Sequence, residues 1–267
     1  MKPTHIQLIY FSPTGTTQKI LRSVAVGTGS ENITETDLTL PNARECKLNP
    51  SDADLFLFGV PVYEEHTPPV IRPILKELIG HGQNAVIVAV YGNVGYGLVL
   101  QELEQLLTSN RFNVIAGAAF IGEHSYSHND LQIANGRPDE IDLQIAKEFG
   151  KQITQKLQNG NPQKRTFPGK LPLMSRVLPE GSASSFAHLP ILDQAICSHC
   201  GLCAKKCPVN AIDHSTMEVD VSKCLRCFAC VRACPQNARS IKLKHPWIVK
   251  RALQKAVTIR QEPIVFL

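Results

Sequence analysis

Cys197-Ser-His-Cys200-Gly-Leu-Cys203-Ala-Lys-Lys-Cys207-Pro208 returns 27 residues on as Cys224-Leu-Arg-Cys227-Phe-Ala-Cys230-Val-Arg-Ala-Cys234-Pro235. Both runs read C-x2-C-x2-C-x3-C-P, the spacing that holds an iron–sulfur cubane. Three cysteines at steps of three wrap a loop around one cubane. The fourth lies a turn further on and reaches the other one, and the proline closes that turn. The ligands are therefore expected to cross. Cys197, Cys200, Cys203 and Cys234 hold one [4Fe–4S] cluster, and Cys224, Cys227, Cys230 and Cys207 hold the second. A zinc site needs four ligands and leaves the tandem triplets and the paired Cys-Pro without a reason. A disulfide framework suits a small secreted chain, which nothing here suggests. A unit of roughly 50 residues has too little core to stand alone, so the metal bonds act as its staples.

Outward from this unit the composition changes. Residues 161–189 carry Pro162, Pro168, Pro172, Pro179, Gly169, Gly181 and a serine cluster, which marks a linker. The cysteine-rich domain covers 190–244. A tail, 245–267, follows, with helical spacing at Ile248, Ala252 and Ala256 and a terminal apolar run, Ile264–Leu267, suited to tuck back onto a domain. The ninth cysteine, Cys46, lies in a polar stretch and reads as a free thiol.

Residues 1–160 alternate strand and helix. Ile6–Phe11, Ile33–Leu38, Leu55–Val60, Ala85–Tyr91 and Val114–Ile121 are predicted strands. Thr16–Val26, Pro69–Ile79, Leu98–Leu107 and Glu140–Leu157 are predicted helices. Near-continuous apolar strands between amphipathic helices predict a doubly wound, five-stranded parallel α/β sheet. Ligands bind such sheets at loops beyond the strands' carboxyl ends. The first of these loops, Ser12-Pro-Thr-Gly-Thr-Thr17, brings hydroxyls and N–H groups to a helix N-terminus, a phosphate cradle. It lacks the lysine of a nucleotide-triphosphate loop, which disfavours ATP and GTP. A phosphate held without a countercharge suits flavin mononucleotide. The loops 61–68 and 91–97 join it, and Tyr63, Tyr91, Tyr96 and Tyr126 supply rings suited to a flat ligand.

The cysteine runs resemble those of bacterial two-cluster ferredoxins, which implies a small α+β ferredoxin-like domain. Residues 1–160 resemble flavodoxin. More narrowly, Val-Tyr-Gly-Asn at 90–93, Glu-His-Ser at 123–125 and Ala-Asn-Gly-Arg-Pro-Asp at 134–139 resemble the flavodoxin–ferredoxin fusion proteins of anaerobes. The resemblance covers nearly the whole chain. It implies FMN, with phosphate contacts from Ser12, Thr14, Gly15, Thr16 and Thr17. Ring contacts are implied from Pro61, Val62, Tyr63, Tyr91, Gly92, Asn93 and Tyr96, with Glu123 and His124 beside them. Loops that commonly carry Trp or acidic residues around flavodoxin flavins differ here, so the flavin potentials do not transfer.

The formal charge is +5. Two oxidised clusters, each about −2 with its thiolates, bring it to roughly +1, so the basic balance is no argument for nucleic acid. Arg239, Lys242, Lys244, Lys250, Arg251, Lys255 and Arg260 form a C-terminal basic group, read as a solvated helix face or as a docking patch for an acidic redox partner. No apolar run is long enough to span a bilayer, and the N-terminal stretch reads as a strand and not a signal peptide, so a cytoplasmic location is expected. The expected function is relay of single electrons between the clusters and FMN, with a ferredoxin, a flavoprotein or a radical enzyme as redox partner. The alternative is an FMN-dependent reductase of a small acceptor, fed by the clusters, with Glu123, His124, Tyr126 and His128 available as proton donors. No hydrolase motif is present.

Overall fold

A strand buried on both faces needs no polar alternation, and β3 (Leu55–Pro61), β4 (Asn84–Tyr91) and β5 (Asn113–Ile121) are apolar almost throughout. The computed structural model describes residues 2–45, 48, 52–160, 162–169, 171 and 181–267. With β1 (His5–Tyr10) and β2 (Asn32–Asp37) these strands form a parallel sheet in the order β2-β1-β3-β4-β5. That order is flavodoxin-like, with a switch point between β1 and β3. Cys46 and most of 170–180 fall outside the described residues.

Helices α1 (Thr16–Thr28) and α4 (Glu140–Gln158) cover one face, over a core that includes Ile6, Leu8, Leu57, Val88 and Phe120. They approach so closely that a Cβ on Gly27 would lie 1.9 Å from the Lys147 carbonyl oxygen. Helices α2 (Arg72–Glu77) and α3 (Val99–Ser109) cover the other face, over Phe56, Phe58, Ile87 and Phe112. The predicted helix 69–79 contracts to six residues because Pro68, Pro69 and Pro73 remove donors and Leu78 is already extended.

After α5 (Ala183–Phe186) the chain enters the cysteine-rich unit. Two short strands, β6 (Ile191–Leu192) and β7 (Arg239–Ser240), pair antiparallel, and α6 (Leu202–Lys205) and α7 (Ala229–Arg232) follow the two cysteine loops. The chain then returns to the first unit. Helix α8 (Pro246–Thr258) leads to β8 (Ile264–Phe266), which adds to β5 antiparallel and makes the sheet six-stranded. The expected tuck of the terminal run is thus a strand pairing. No helix among the described residues is long and apolar enough to cross a membrane.

Candidate functional site

The eight cysteines line two cavities. One is walled by Cys197, Cys200, Cys203 and Cys234, the other by Cys207, Cys224, Cys227 and Cys230. Each cavity thus takes three cysteines from one run and the fourth from the other. The two halves are alike in backbone. His199 and Arg226 have φ of 51° and 52°, and Asn210 and Asn237 have 48° and 53°. The Ala211 N–H donates to the Cys207 sulfur and the Ala238 N–H to the Cys234 sulfur, both at 3.2 Å. Amides directed at sulfur stabilise thiolates, the form that binds iron. Among the described residues no group of three or more His, Cys, Asp or Glu closes on a single metal ion.

The cavities differ in burial. Cys200 is exposed, and the Leu202 N–H holds its thiol below the ordinary range. In the second cavity Cys207 and Cys230 are buried, and burial pushes the Cys227 thiol up to about 12. His199 is exposed, as a residue outside a saturated ligand set should be.

The first strand-end loop opens α1 through Gly15 at φ 81°, where a Cβ would meet nothing within 4 Å. The Ser12 hydroxyl accepts from the Gln18 N–H at 3.1 Å, and the Thr14 and Thr16 hydroxyls lie 3.3 Å apart. The Thr17 hydroxyl is fully buried with no partner. No acidic residue lies in the first turn of α1. Bare donors and hydroxyls at a helix N-terminus fit a phosphate, and the orphaned Thr17 oxygen at that turn needs a partner of that kind.

The third loop also contacts the C-terminal segment. Tyr91 is buried and meets Tyr96 edge-on at 6.2 Å, and Tyr96 in turn meets Phe266 of β8. The Asn93 amide donates to the carbonyls of Ala256 and Ile259, both at 2.7 Å, and its oxygen accepts from the Gln261 N–H at 3.0 Å. Asn93 and Tyr96 thus contact the C-terminal segment. Tyr63 stays at the sheet's carboxyl edge, 6.2 Å from the Phe11 ring. Burial, and then the nearby Cys227 thiol, hold its phenol well above the ordinary range. Pro61 and Val62 lead into it, with the Val62 N–H donating to the Val90 carbonyl. Gly92 faces His124, and a Cβ there would lie 2.5 Å from the imidazole. Burial depresses the His124 pKa to about 4, and its Nδ1 accepts from the Tyr126 N–H at 3.0 Å. The ring is thus neutral at pH 7 and carries its proton on Nε2.

The cysteine-rich unit docks against these same loops. Arg44 donates to the Pro208 carbonyl at 2.5 Å, one residue past Cys207, with its guanidinium over Phe11. The Glu64 carboxylate accepts from the N–H groups of Gly181, Ser182 and Ala183. Arg232 pairs with Glu123 at 2.8 Å and donates to the Ser127 carbonyl. Phe228, beside Cys227, meets Tyr126 at 5.8 Å, and Tyr126 meets His124. Phe228 holds φ 56° where the first repeat has Gly201. A bulky residue in the left-handed region is strained, and here the strain turns a buried ring onto the other unit. Sequence reading passed over Phe11, Arg44, Glu64 and Phe228. The one available signal was the break in the repeat, Phe where its counterpart is Gly.

Residues 189–235 match the family model of the 4Fe–4S dicluster domain. The chain is 23% identical over 169 residues to the putative diflavin flavoprotein A 5 of Nostoc sp., which takes in 61% of this chain and 28% of that relative. Rubredoxin oxygen:oxidoreductase from Desulfovibrio gigas is 16% identical at a TM-score of 0.42, covering 58% of this chain and 36% of that one. The flavodoxin of Streptococcus pneumoniae TIGR4 is 15% identical at 0.40, covering 57% and 98%. The chain therefore spans well under half of the first two proteins. The strand order, and not these likenesses, defines the flavodoxin-like fold. The chain thus joins a flavodoxin-like α/β unit to a unit that matches the 4Fe–4S dicluster model.

Proposed function

We propose that this chain relays single electrons between two [4Fe–4S] clusters and FMN. One contact carries the reading. Tyr63, from the loop beyond β3, meets the Phe11 ring and lies near the Cys227 thiol of the second cavity. The cysteine-rich unit thus meets the α/β unit at the edge where a sheet of this order binds its ligand. Bound FMN would accept one or two electrons with protons, while a cubane passes one.

The chain's residues have distinct tasks in this reading. Ser12, Thr14, Gly15, Thr16 and Thr17 hold the phosphate. Pro61, Val62, Tyr63 and the backbone of Tyr91, Gly92 and Asn93 flank the ring, and the neutral His124 offers an Nε2 proton beside Gly92. Cys197, Cys200, Cys203 and Cys234 hold the first cluster, and Cys207, Cys224, Cys227 and Cys230 the second. The partner is a redox protein that meets the exposed first cluster.

A second reading, a reductase of a small acceptor, draws on one feature. A crevice runs between the units along Tyr63, Arg72, Cys224 and Arg226. Anaerobic reconstitution followed by dithionite titration tests the relay. About eight irons and one FMN per chain are expected, with cluster and flavin absorption both bleaching. A protein that holds eight irons and no flavin would sink it. Saturable turnover of a small acceptor on rapid mixing would favour the reductase.

A further inference from the structure

The 27-residue repeat sets Arg239 where its counterpart is Ile212. Both side chains are buried, at 2% and 5% exposure. Ile212 lines the second cysteine cavity, and Arg239 lines the first, with Cys197, Cys200, Cys203 and Cys234. Its Nη2 donates to the Met217 carbonyl at 2.6 Å, while Nε and Nη1 are buried without a partner among the described residues. It forms no ion pair with a carboxylate among the described residues. A guanidinium is always charged, and a buried charge with two unpaired donors is costly unless an anion lies beside it. The cavity it lines is the first one. Its field also reaches Cys224 and Cys230 of the second cavity.

We infer that Arg239 is the buried counter-cation of the two clusters, pairing with the first and raising the potential of both, the first more. The inference rests on the two-cluster reading. An oxidised cluster with its four thiolates carries about −2, and one electron from an external reductant takes it to −3. A fixed positive charge favours the more negative state, and in a buried setting no water replaces it. Ile212 supplies nothing of this kind. The repeat is thus alike in its ligands and unlike in charge, and the two clusters differ in potential for that reason.

The test uses the full chain with clusters reconstituted, as Arg239→Leu and Arg239→Lys. Iron per chain is counted first, because about eight in wild type upholds the two-cluster reading independently. Redox titration followed by electron paramagnetic resonance then reads each cluster. At the wild-type midpoint of the first cluster, the Leu variant should show a reduced-to-oxidised ratio about tenfold lower, about 59 mV for one electron. The second cluster should shift less, and the Lys variant should stay close to wild type. An unchanged first cluster in an eight-iron Leu variant overturns the inference. So does a Lys variant that keeps eight irons and falls as far as the Leu variant. If the Leu variant assembles no clusters, the Lys variant decides alone: retention of the wild-type midpoint supports the charge, and a tenfold fall refutes it.

Discussion

Tyr63→Phe removes one hydroxyl from the junction and leaves the ring that meets Phe11 at 6.2 Å. What is lost is the interaction of the phenol with the nearby Cys227 thiol, at most one hydrogen bond to sulfur. A hydrogen bond to a charged acceptor contributes about 1.5–3 kcal/mol. Only its change with oxidation state moves a potential. The added electron is shared over the whole cubane, so a single sulfur gains a fraction of a charge, and about a third of the bond, roughly 0.5–1 kcal/mol, is at stake. For a one-electron couple that is about 20–40 mV, in the direction of a lower potential for the second cluster. The first cluster is the internal control, since Cys227, the cysteine beside Tyr63, lines the other cavity. Spectroelectrochemical titration resolved by electron paramagnetic resonance reads both in one sample. A second cluster that holds its wild-type midpoint would refute the reasoning, as would an equal fall of both clusters.

Two further outcomes are expected. Cys207→Ser should strip or weaken the cluster held by Cys224, Cys227 and Cys230, lowering iron from about eight towards about four per chain, and loss of the other cluster alone would contradict the crossed set. His124 should make folding sensitive to mild acid. Its folded pKa lies near 4 against 6.5, because burial disfavours the imidazolium. The unfolded chain therefore takes up a proton first, and the stability present above pH 6.5 is lost as pH falls towards 4. Between pH 7 and pH 5 the loss is at most about 2 kcal/mol, measured as the difference in denaturation between wild type and His124→Gln. Parallel pH profiles for the two proteins would rule this role out.

The legible parts of the fold are those carried by local pattern. β3, β4 and β5 stood out because each is a compact apolar run, and the cysteine spacing spoke for itself. β8 did not stand out as a strand, since Ile264–Phe266 is three residues long and becomes a strand only by pairing with β5. Arg239 was grouped with the solvated basic residues of the C-terminus, and it is buried. Nothing local separates a buried arginine from an exposed one. Only the comparison with Ile212 across the repeat does. Arg260 of the same group is tied to Asp139 at 2.8 Å, which leaves less of that group for docking than its number of cations suggests. The use of Asn93 and Tyr96 by the tail was equally hidden, because both residues suit a flavin loop as well as a packing surface.

The junction is built largely from bonds to backbone. Glu64 accepts from three main-chain N–H groups, Arg44 and Arg232 donate to main-chain carbonyls, and Asn93 and Arg137 hold the carbonyls of the returning tail. Such bonds fix position more closely than paired surface charges, which long side chains can satisfy in many geometries. The cysteine-rich unit is also held on both sides, by the Gly181–Ala183 turn on Glu64 before it and by β8 on β5 after it. Swinging it away requires breaking both attachments as well as the buried cluster of Ile133, Phe228, Leu243 and Val249. Electron exchange between second cluster and flavin thus needs no domain motion in the relay reading. In that reading the second cluster is the more buried, with Cys207 and Cys230 buried, and Cys200 of the first is exposed, so the first is the more open to an outside protein. The order expected in the relay reading is partner, first cluster, second cluster, flavin, traversable in either direction. A partner that reduces the flavin equally fast after Cys200→Ala has removed the first cluster would break that order.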